Sequence, residues 1–516
     1  MAGPDEAGEV RPDAETDVAV NDGTGTDDAS GKKEQSLGTK ASRGFLWANV
    51  GIFTRYVIAL ILAAVLARIL NTQDYAVMVT IMLVVFYFDN ALDLGMGAAL
   101  VYEQEEGVTD RVQVAFSANV LLGFGLAAIA FVAAPWITAY FHLNTSSTNY
   151  TAVFRCMAIV IVLSSLSTVP WSLFQRNMQF QRQALVEVCR DLSRFFVTLG
   201  LALAGYGAWS VMIGLFACYA VQWVLTWIVL PFWPTLKWDT KAVKQLFAYA
   251  WRVAGNRVLG LLALNGDYFV VGNRKPSQYS LYYQAFRLPE FTMGAQLNGL
   301  SAVLFPMYSR IRSQGNQALC EAMYKALRIV ALFSVPVGVG LALIARDSFT
   351  VFYGNNSQVG IQTMEIISIA GAVTGIGFAT GDLLMATNRP GVLLRINAVM
   401  VPVMLIAMWF VAPQGVIWVA CVHLVIQVVF VSIRQGIVDH LIGARTATVL
   451  ASLVPGLVVA AFIVAAALPV RLLTEESFAS LVEITAAGVA GALVALVVYR
   501  PARAEVLGLI NTIRGR

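Results

Sequence analysis

Fourteen apolar segments, each long enough to form a membrane-spanning helix, recur along this chain of 516 residues. A helix needs about 20 apolar residues to cross about 30 Å of hydrocarbon. Only 13% of the residues are charged, about half the share in a typical soluble protein. The sequence therefore predicts an all-α polytopic membrane protein with about 14 transmembrane helices. The segments lie near 44–69, 76–100, 112–134, 151–174, 183–204, 207–232, 245–272, 279–306, 322–345, 361–385, 391–412, 415–436, 447–470 and 479–499.

Lysine and arginine collect in every second loop between these segments. If the N-terminus is cytoplasmic, the segments on that side hold 21 basic residues and those on the other side hold 5. Basic residues favour cytoplasmic loops. The alternation predicts a multi-pass membrane protein with both termini in the cytoplasm.

Short motifs recur in the same order in two groups of six segments. Residues 71–75 (NTQDY) end the first segment and residues 275–279 (KPSQY) end the seventh. The turn at 205–209 (GYGAW) resembles the turn at 413–418 (PQGVIW). Because six is an even number, the two groups share one orientation. We therefore predict two pseudo-symmetric bundles related by an axis along the membrane normal, with a cavity between them.

The first 42 residues differ from the rest of the chain in composition. They hold ten acidic and four basic residues, a net charge of −6, so in a chain of net charge +4 the remainder carries +10. Such a polar segment cannot bury enough apolar surface to fold. We predict four regions: a disordered acidic cytoplasmic tail (1–42), an N-terminal six-helix bundle (43–233), a C-terminal six-helix bundle (234–440), and two extra transmembrane helices with a short cytoplasmic C-terminus (441–516).

Eight arginines lie inside the predicted helices. A charge in the middle of a bilayer costs at least a few kcal/mol, so each arginine should face a cavity or an ionic partner. All eight therefore need polar surroundings inside the bilayer. They are Arg55, Arg155, Arg190, Arg194, Arg252, Arg257, Arg287 and Arg328.

Arg55 and Arg257 are the first candidates for an anionic ligand. They lie in the first and seventh segments, which are repeat partners, at depths of about 15 and 18 Å. Arg252 is shallower and is a candidate entry contact. The alternative is that each arginine is paired with an acid and holds helices together; the candidate partners are Asp89, Asp93, Asp267 and Glu290.

Two further charged groups lie within single helices. Arg190 and Arg194 share a helix face. An intrahelical ion pair explains Asp191 and Arg194 without a ligand and is the favoured interpretation; contact with a ligand is the alternative. Arg287 is a further candidate anion contact and can pair with Glu290 three residues later.

Glu290 follows Pro289, which removes a backbone hydrogen bond and can bend the helix. Glu290 is a candidate for proton or sodium coupling, and a salt bridge at a bend is the alternative. Asp267 is a second candidate for ion coupling.

Motifs for catalysis, cofactors and metals are missing from the sequence. It contains no Walker lysine motif, dinucleotide glycine motif or HExxH, and its five cysteines and three histidines have no metal-ligand spacing. The loops are also too short to hold a catalytic domain. We therefore predict no enzyme activity, no catalytic residues, no cofactor, no metal and no nucleic-acid partner.

Four motifs carry a family resemblance that covers most of residues 43–440. The chain resembles the polysaccharide (Wzx-type) flippases of the multidrug/oligosaccharidyl-lipid/polysaccharide exporter superfamily. The motifs are LNTQDY (70–75), DLGMGAAL (93–100), RNMQFQRQ with the following ALVE (176–187), and GYGAWS (205–210).

The resemblance implies a function in polysaccharide biosynthesis. Members are thought to move undecaprenyl-diphosphate-linked oligosaccharide, a repeat unit of exopolysaccharide or lipopolysaccharide, from the cytoplasmic to the outer leaflet by alternating access. It implies a location in the bacterial inner (cytoplasmic) membrane. The partners would be the polyprenyl-diphosphate-linked glycan and the bilayer, and contact with the polysaccharide polymerase machinery stays open. Such a cargo calls for a polar cavity with fixed positive charge, for which arginine is best suited.

Three alternatives stay open on sequence alone. A peptidoglycan-precursor lipid flippase would also have fourteen spans and a cationic cavity. A multidrug or cation antiporter of the same superfamily would favour an acidic cavity, against a body of net charge +10. A membrane glycan polymerase or ligase would require a large periplasmic loop, whereas the longest loops outside are short and nearly uncharged.

Overall fold

The computed structural model describes residues 54–92, 108–145, 148–177, 179–230, 259–354 and 357–513. These residues form α-helices joined by short turns, so the predicted all-α class is confirmed. The helices are α1 (54–69), α2 (Thr72–Leu92), α3 (Val108–Tyr140), α4 (Thr151–Arg176), α5 (Phe180–Leu203), α6 (Ala208–Val229), α7 (259–274), α8 (Tyr279–Ile311), α9 (Asn316–Leu343), α10 (Ala345–Tyr353), α11 (Gln358–Ala386), α12 (Pro390–Val411), α13 (Val416–Ile442), α14 (Thr446–Leu473), α15 (Phe478–Val498) and α16 (Arg500–Ile513).

Ten of the described helices are long and apolar enough to cross a membrane, namely α2, α3, α4, α6, α9 and α11 to α15. The structure describes only 16 residues each of α1 and α7. Helices α5 and α8 are long, with 24 and 33 residues, but charged side chains lower their hydropathy. All these helices coincide with predicted segments, while α10 and α16 fall outside them. The total of fourteen spans stays a prediction.

The helices pack in two groups that follow the chain. In the first group, α3 packs on α4, α5 packs on α6, and α2 packs on both α4 and α6. In the second group, α11 packs on α8, α9 and α13. Helix α14 packs on α9 and on α15, so the last pair extends the second group. The acidic tail and the junction at 233/234 lie outside the described residues, and the predicted region boundaries stay predictions.

The motifs that indicated an internal repeat meet in space in the same way in each group. Gly207, just before α6, lies so close to α2 that a Cβ there would contact the Asp74 carboxylate. In the second group, the backbone N–H of Val416 donates to Gln278 Oε1 at 3.0 Å. Gly207 and Gly415 both have positive φ, of 53° and 139°. In each group, the repeated motif therefore contacts the glycine turn that precedes a later helix.

The two groups touch at the end of the bundle where α1 ends and α2 begins, which we name the Asn71 end. The Ser280 hydroxyl on α8 donates to the carbonyl oxygen of Thr72 at 3.2 Å. The Asn273 amide on α7 donates to the carbonyl oxygen of Tyr140 at 2.8 Å. These contacts connect the two groups.

The short helix α10 adds a further contact at this end. Arg68, at the end of α1, donates to the carbonyl oxygens of Thr350 and Phe352 in the last turn of α10, each at 3.4 Å. A cation at a helix C-terminus satisfies free carbonyls and favours the helix dipole. The Tyr353 hydroxyl of α10 donates to the carbonyl oxygen of Gln284 on α8 at 3.1 Å. Helix α10 therefore bridges α1 and α8.

Gly456→Leu is expected to separate α14 from α9. A side chain at position 456 would meet the backbone carbonyl of Ala331, which cannot rotate away. We expect a loss of about 2 kcal/mol or more in the free energy of unfolding, as for other overpacked sites. The measurement is the thermal unfolding midpoint of the protein in detergent. In the matched control, Gly436→Leu, nothing lies within 4 Å of the added Cβ; equal midpoints for the two variants would contradict this packing.

Candidate functional site

A cavity of about 420 Å³ lies between the two helix groups. Its wall is formed by α1, α2, α5 and α6 of the first group and by α7 and α8 of the second. Helices α5 and α8, which are less apolar than the ten helices named above, supply five of its seven charged residues. The charged residues of the wall are Arg55, Asp89, Arg190, Asp191, Arg194, Arg287 and Glu290.

Arg55 lies in the cavity wall near the start of the described part of α1, and 43% of its side chain is exposed. Its guanidinium is paired with two carboxylates of α5, at 2.8 Å from Glu187 Oε1 and at 3.6 Å from Asp191 Oδ2. Neither residue was among the partners expected from the sequence. The contact arises because α5 packs beside α1, which spacing along the chain does not reveal.

The charges of α5 form one stripe along the helix. Glu187, Arg190, Asp191 and Arg194 follow at spacings of three and four residues and therefore share a face. Asp191 Oδ1 lies 3.0 Å from Arg190 Nε, and Arg190 Nη1 also donates to Gln222 Oε1 on α6 at 2.9 Å. Asp191 thus pairs with Arg190 and Arg55, and not with Arg194 as expected from the sequence. The spacing of Glu187 was the available signal for this missed residue.

Arg287 and Glu290 contribute an ion pair from α8. Arg287 Nη1 lies 3.1 Å from Glu290 Oε2, and its guanidinium carbon lies 4.1 Å from the centre of the Tyr283 ring. Arg287 also donates to the Tyr283 hydroxyl. Glu290 is half exposed and follows Pro289, which lies inside the continuous helix α8. Both charged residues face the cavity, as a ligand contact requires.

Asp89 is the acidic residue that α2 places in the cavity wall. Its carboxylate accepts hydrogen bonds from the Ser164 hydroxyl at 2.8 Å and from the Tyr219 hydroxyl. It was a candidate partner of Arg55 or Arg257. Among the described residues, two neutral donors from α4 and α6 hold it in place of Arg55, and Arg257 lies outside those residues. This network ties three helices of the first group together.

Asp267 lies behind the cavity wall rather than in it. It is 2% exposed and accepts from the Tyr282 hydroxyl at 2.7 Å and from the Tyr268 backbone N–H at 3.0 Å. The rings of Tyr268, Tyr282 and Phe286 pack around it, with centroids 4.9 to 5.8 Å apart. Asp267 therefore lies in an aromatic layer next to the cavity.

Three residues of the sequence predictions lie outside the described residues. They are Arg252 and Arg257, expected as anion contacts, and Asp93, expected as an ionic partner. Of the remaining predicted site residues, the structure brings Arg55, Arg287 and Glu290 to one cavity. Within the described ranges, no three His, Cys, Asp or Glu side chains are grouped so that they could hold a metal ion.

The described part of the cavity is less positive than the sequence predicted. Its wall holds four arginines, and three of them have a carboxylate partner at 3.1 Å or less. Burying charges as pairs lowers the cost of removing them from water. The described part of the cavity wall therefore carries mostly compensated charges rather than purely cationic ones.

Comparisons with known proteins agree with the fold and with the resemblance seen in the motifs. A family model described as "Polysaccharide biosynthesis protein" matches residues 65–359. The teichuronic acid biosynthesis protein TuaB of Bacillus subtilis is 20% identical over 69% of this chain and 73% of its own length. The succinoglycan biosynthesis transport protein ExoT of Rhizobium meliloti is 22% identical over 64% of this chain and 66% of its own length.

A solved structure of the lipid II flippase MurJ, in an inward closed conformation, is similar in fold. It aligns with a TM-score of 0.70 and 16% identity, over 88% of this chain and 99% of that chain. The match extends through both helix groups, so the multi-pass helical architecture is that of known membrane transporters. Because the family model spans more than half of the sequence, the chain belongs to the polysaccharide biosynthesis protein family.

Proposed function

We propose that this protein is a flippase that moves a polyprenyl-diphosphate-linked oligosaccharide from the cytoplasmic to the outer leaflet of the bacterial inner membrane. Family membership and relatives named for teichuronic acid and succinoglycan biosynthesis support a cargo from polysaccharide assembly. The undecaprenyl carrier and a repeat unit of exopolysaccharide or lipopolysaccharide are the finer parts of this proposal. The activity moves the cargo without covalent chemistry.

The observation that carries the proposal is the charged cavity between the two helix groups. A diphosphate and a glycan cannot enter hydrocarbon without polar partners, whereas the polyprenyl chain can stay in lipid. The wall supplies guanidinium groups, which bind phosphate oxygens in pairs, and tyrosines, whose rings and hydroxyls suit sugars. A cavity between like-oriented halves is also the place at which alternating access can act.

The predicted topology assigns each end of the cavity to one side of the membrane. The Asn71 end is the outer end if both termini are cytoplasmic. Contacts between α1 and α10 and between α2 and α8 lie at that end, which supports a state closed toward the outside. Separation of these contacts, with approach of the helix groups at the opposite end, would expose the cavity to the outer leaflet.

Four arginines and two acids have proposed roles in this cycle. Arg55 and Arg287 are proposed to contact the anionic headgroup, since both lie in the cavity wall. Arg257 and Arg252 keep the roles expected from their places in the seventh segment. Glu290 and Asp267 are proposed to couple transport to an ion, because Glu290 faces the cavity and Asp267 is buried among tyrosines.

Deleting the gene is expected to abolish surface polymer and to accumulate lipid-linked repeat units on the cytoplasmic side. The measurement is the leaflet distribution of the lipid-linked oligosaccharide, with the intact gene supplied in trans as the control. Unchanged polymer export would contradict the proposal. A block of peptidoglycan synthesis would identify a peptidoglycan-precursor flippase instead, and loss of organic-cation efflux alone would identify an antiporter.

A further inference from the structure

Arg194 differs from the other arginines in the described cavity wall because it has no carboxylate partner there. Its Nη2 atom lies 2.8 Å from the sulfur of Met82, and its buried Nε atom has no hydrogen-bond partner. A thioether is only a weak acceptor. The partly buried guanidinium thus lies at the cavity, and no described residue offers it a strong acceptor. This arrangement leaves room for an anion from outside the protein.

Asp191, in contrast to Arg194, has two partners of opposite charge. Its two oxygens lie 3.0 Å from Arg190 Nε and 3.6 Å from Arg55 Nε. Glu187 holds the other side of Arg55 at 2.8 Å. Both acids are 7% exposed, so each would be costly to leave without a cation. Asp191 is therefore an internal anion within reach of the same groups that a bound anion would use.

Arg194 and Asp191 lie about one helical turn apart on α5. Arg194 follows Asp191 by three residues, on the same face and closer to the Asn71 end. An anion that enters the cavity would find Arg194 free and the neighbouring guanidinium groups occupied. To gain more than one arginine contact, it would have to replace a carboxylate.

We propose, resting on the proposed function, that Arg194 is the first binding group for the diphosphate of the cargo and that Asp191 is the internal anion which the diphosphate displaces from Arg55, while Asp191 keeps Arg190 as its cation. The empty carrier then has its remaining cations paired, which lowers the cost of holding them inside the membrane. Binding exchanges one anion for another, so the internal carboxylate limits the affinity.

This arrangement predicts effects of opposite sign for two neighbouring residues. Arg194→Gln removes the free cation and is expected to raise the Kd for a diphosphate at least about tenfold, the usual effect of losing a charge-assisted hydrogen bond. Asp191→Asn removes the competitor and is expected to lower the Kd by about threefold or more. If both residues only stabilised the fold, both variants would bind more weakly.

The experiment is a calorimetric titration of the full-length protein in detergent with farnesyl diphosphate. Inorganic pyrophosphate, as a second probe, should show the same dependence on Arg194, because the recognised group is the diphosphate. Farnesol, which lacks it, should bind all variants alike. Arg194→Lys keeps a charge without the guanidinium fork and is expected to have an intermediate Kd. Each variant is titrated as a monodisperse sample at a temperature below its own unfolding midpoint.

Arg155→Gln is the matched control. Arg155 also lies in a membrane helix, but its guanidinium lies over the Phe131 ring, 5.2 Å from the centroid, and outside the cavity wall. Its loss should leave the Kd unchanged. A Kd of Arg194→Gln equal to that of the unsubstituted protein, or weaker binding by Asp191→Asn, would overturn the inference.

The proposed function can fail independently of this inference. If the protein binds diphosphate as described but deletion of the gene leaves export intact, the flippase assignment fails and the anion site stands. If deletion abolishes export but both variants bind like the unsubstituted protein, the flippase assignment stands and the roles of Arg194 and Asp191 are wrong.

Discussion

Arg55→Ala is expected to abolish polymer export while the protein stays in the membrane at its normal level. The substitution removes the cation that α1 contributes to the cavity. Among the described residues, no other cation then lies within 2.8 Å of Glu187, the partner of Arg55. Loss of one partner of a buried ion pair costs about 3 to 5 kcal/mol. Because 43% of the Arg55 side chain is exposed, the loss of stability should be smaller and the protein should still fold.

A charge exchange separates the two roles that Arg55 can have. Export is measured for Arg55→Ala, for Arg55→Glu with Glu187→Arg, and for Arg155→Ala as the control outside the cavity. If Arg55 only holds α1 to α5, the exchange restores the ion pair and export returns. If Arg55 contacts cargo from α1, the exchange restores stability but not export, which is the expected result. Normal export by Arg55→Ala would remove this residue from the site.

Gly207→Ala is expected to be among the most destabilising single-methyl additions in the described chain. Gly207 has φ 53° and ψ −131°, a conformation that a side chain opposes. The added Cβ would also contact the Asp74 carboxylate. Strain of about 1 to 3 kcal/mol and a similar cost of overpacking should both lower the free energy of unfolding. The thermal midpoint in detergent measures their sum.

Two further variants divide this sum into its parts. Gly205→Ala has φ 84° with no atom within 4 Å of the added Cβ, so it should show the backbone strain alone. Adding Gly207→Ala to an Asp74→Ala protein should likewise cost less than adding it to the unsubstituted one. An equal cost in both backgrounds would show that the Asp74 contact is unimportant.

The carboxylate cannot simply move away, because it is part of a network at the Asn71 end. Asp74 accepts from the Asn71 amide at 2.8 Å and from the Tyr150 hydroxyl at 2.9 Å. Burial and the Asp74 carboxylate raise the pKa of the Tyr150 phenol to about 12, so it keeps the proton that it donates. These hydrogen bonds limit how far the Asp74 carboxylate can move away from a side chain at position 207.

The internal repeat shows which structural features the sequence patterns could predict. The motifs at 71–75 and 275–279 were paired from their similar residues and their order along the chain, and the structure gives Asp74 and Gln278 the same relation to the glycine before a later helix. Turn geometry depends on a few local residues, above all on glycines at positive φ. Local constraints of this kind are readable without knowing which helices are neighbours.

The ion pairs show what the sequence patterns could not predict. Arg55 was correctly expected to need a cavity or a partner, since the cost of a charge in hydrocarbon is a property of the residue and its depth. Its partners, Glu187 and Asp191, belong to a helix more than 120 residues later in the chain. A helical period orients a face but does not say which helix that face will meet.

The membrane class, the helical segments and the need to shelter buried arginines therefore followed from the amino-acid sequence, because hydropathy and desolvation act on each residue where it stands. Which arginines have a carboxylate partner among the described residues was decided by the packing of α1, α2 and α5 around one cavity. Electrostatic pairing depends on distances of a few ångströms across helices, and only the tertiary structure sets those distances.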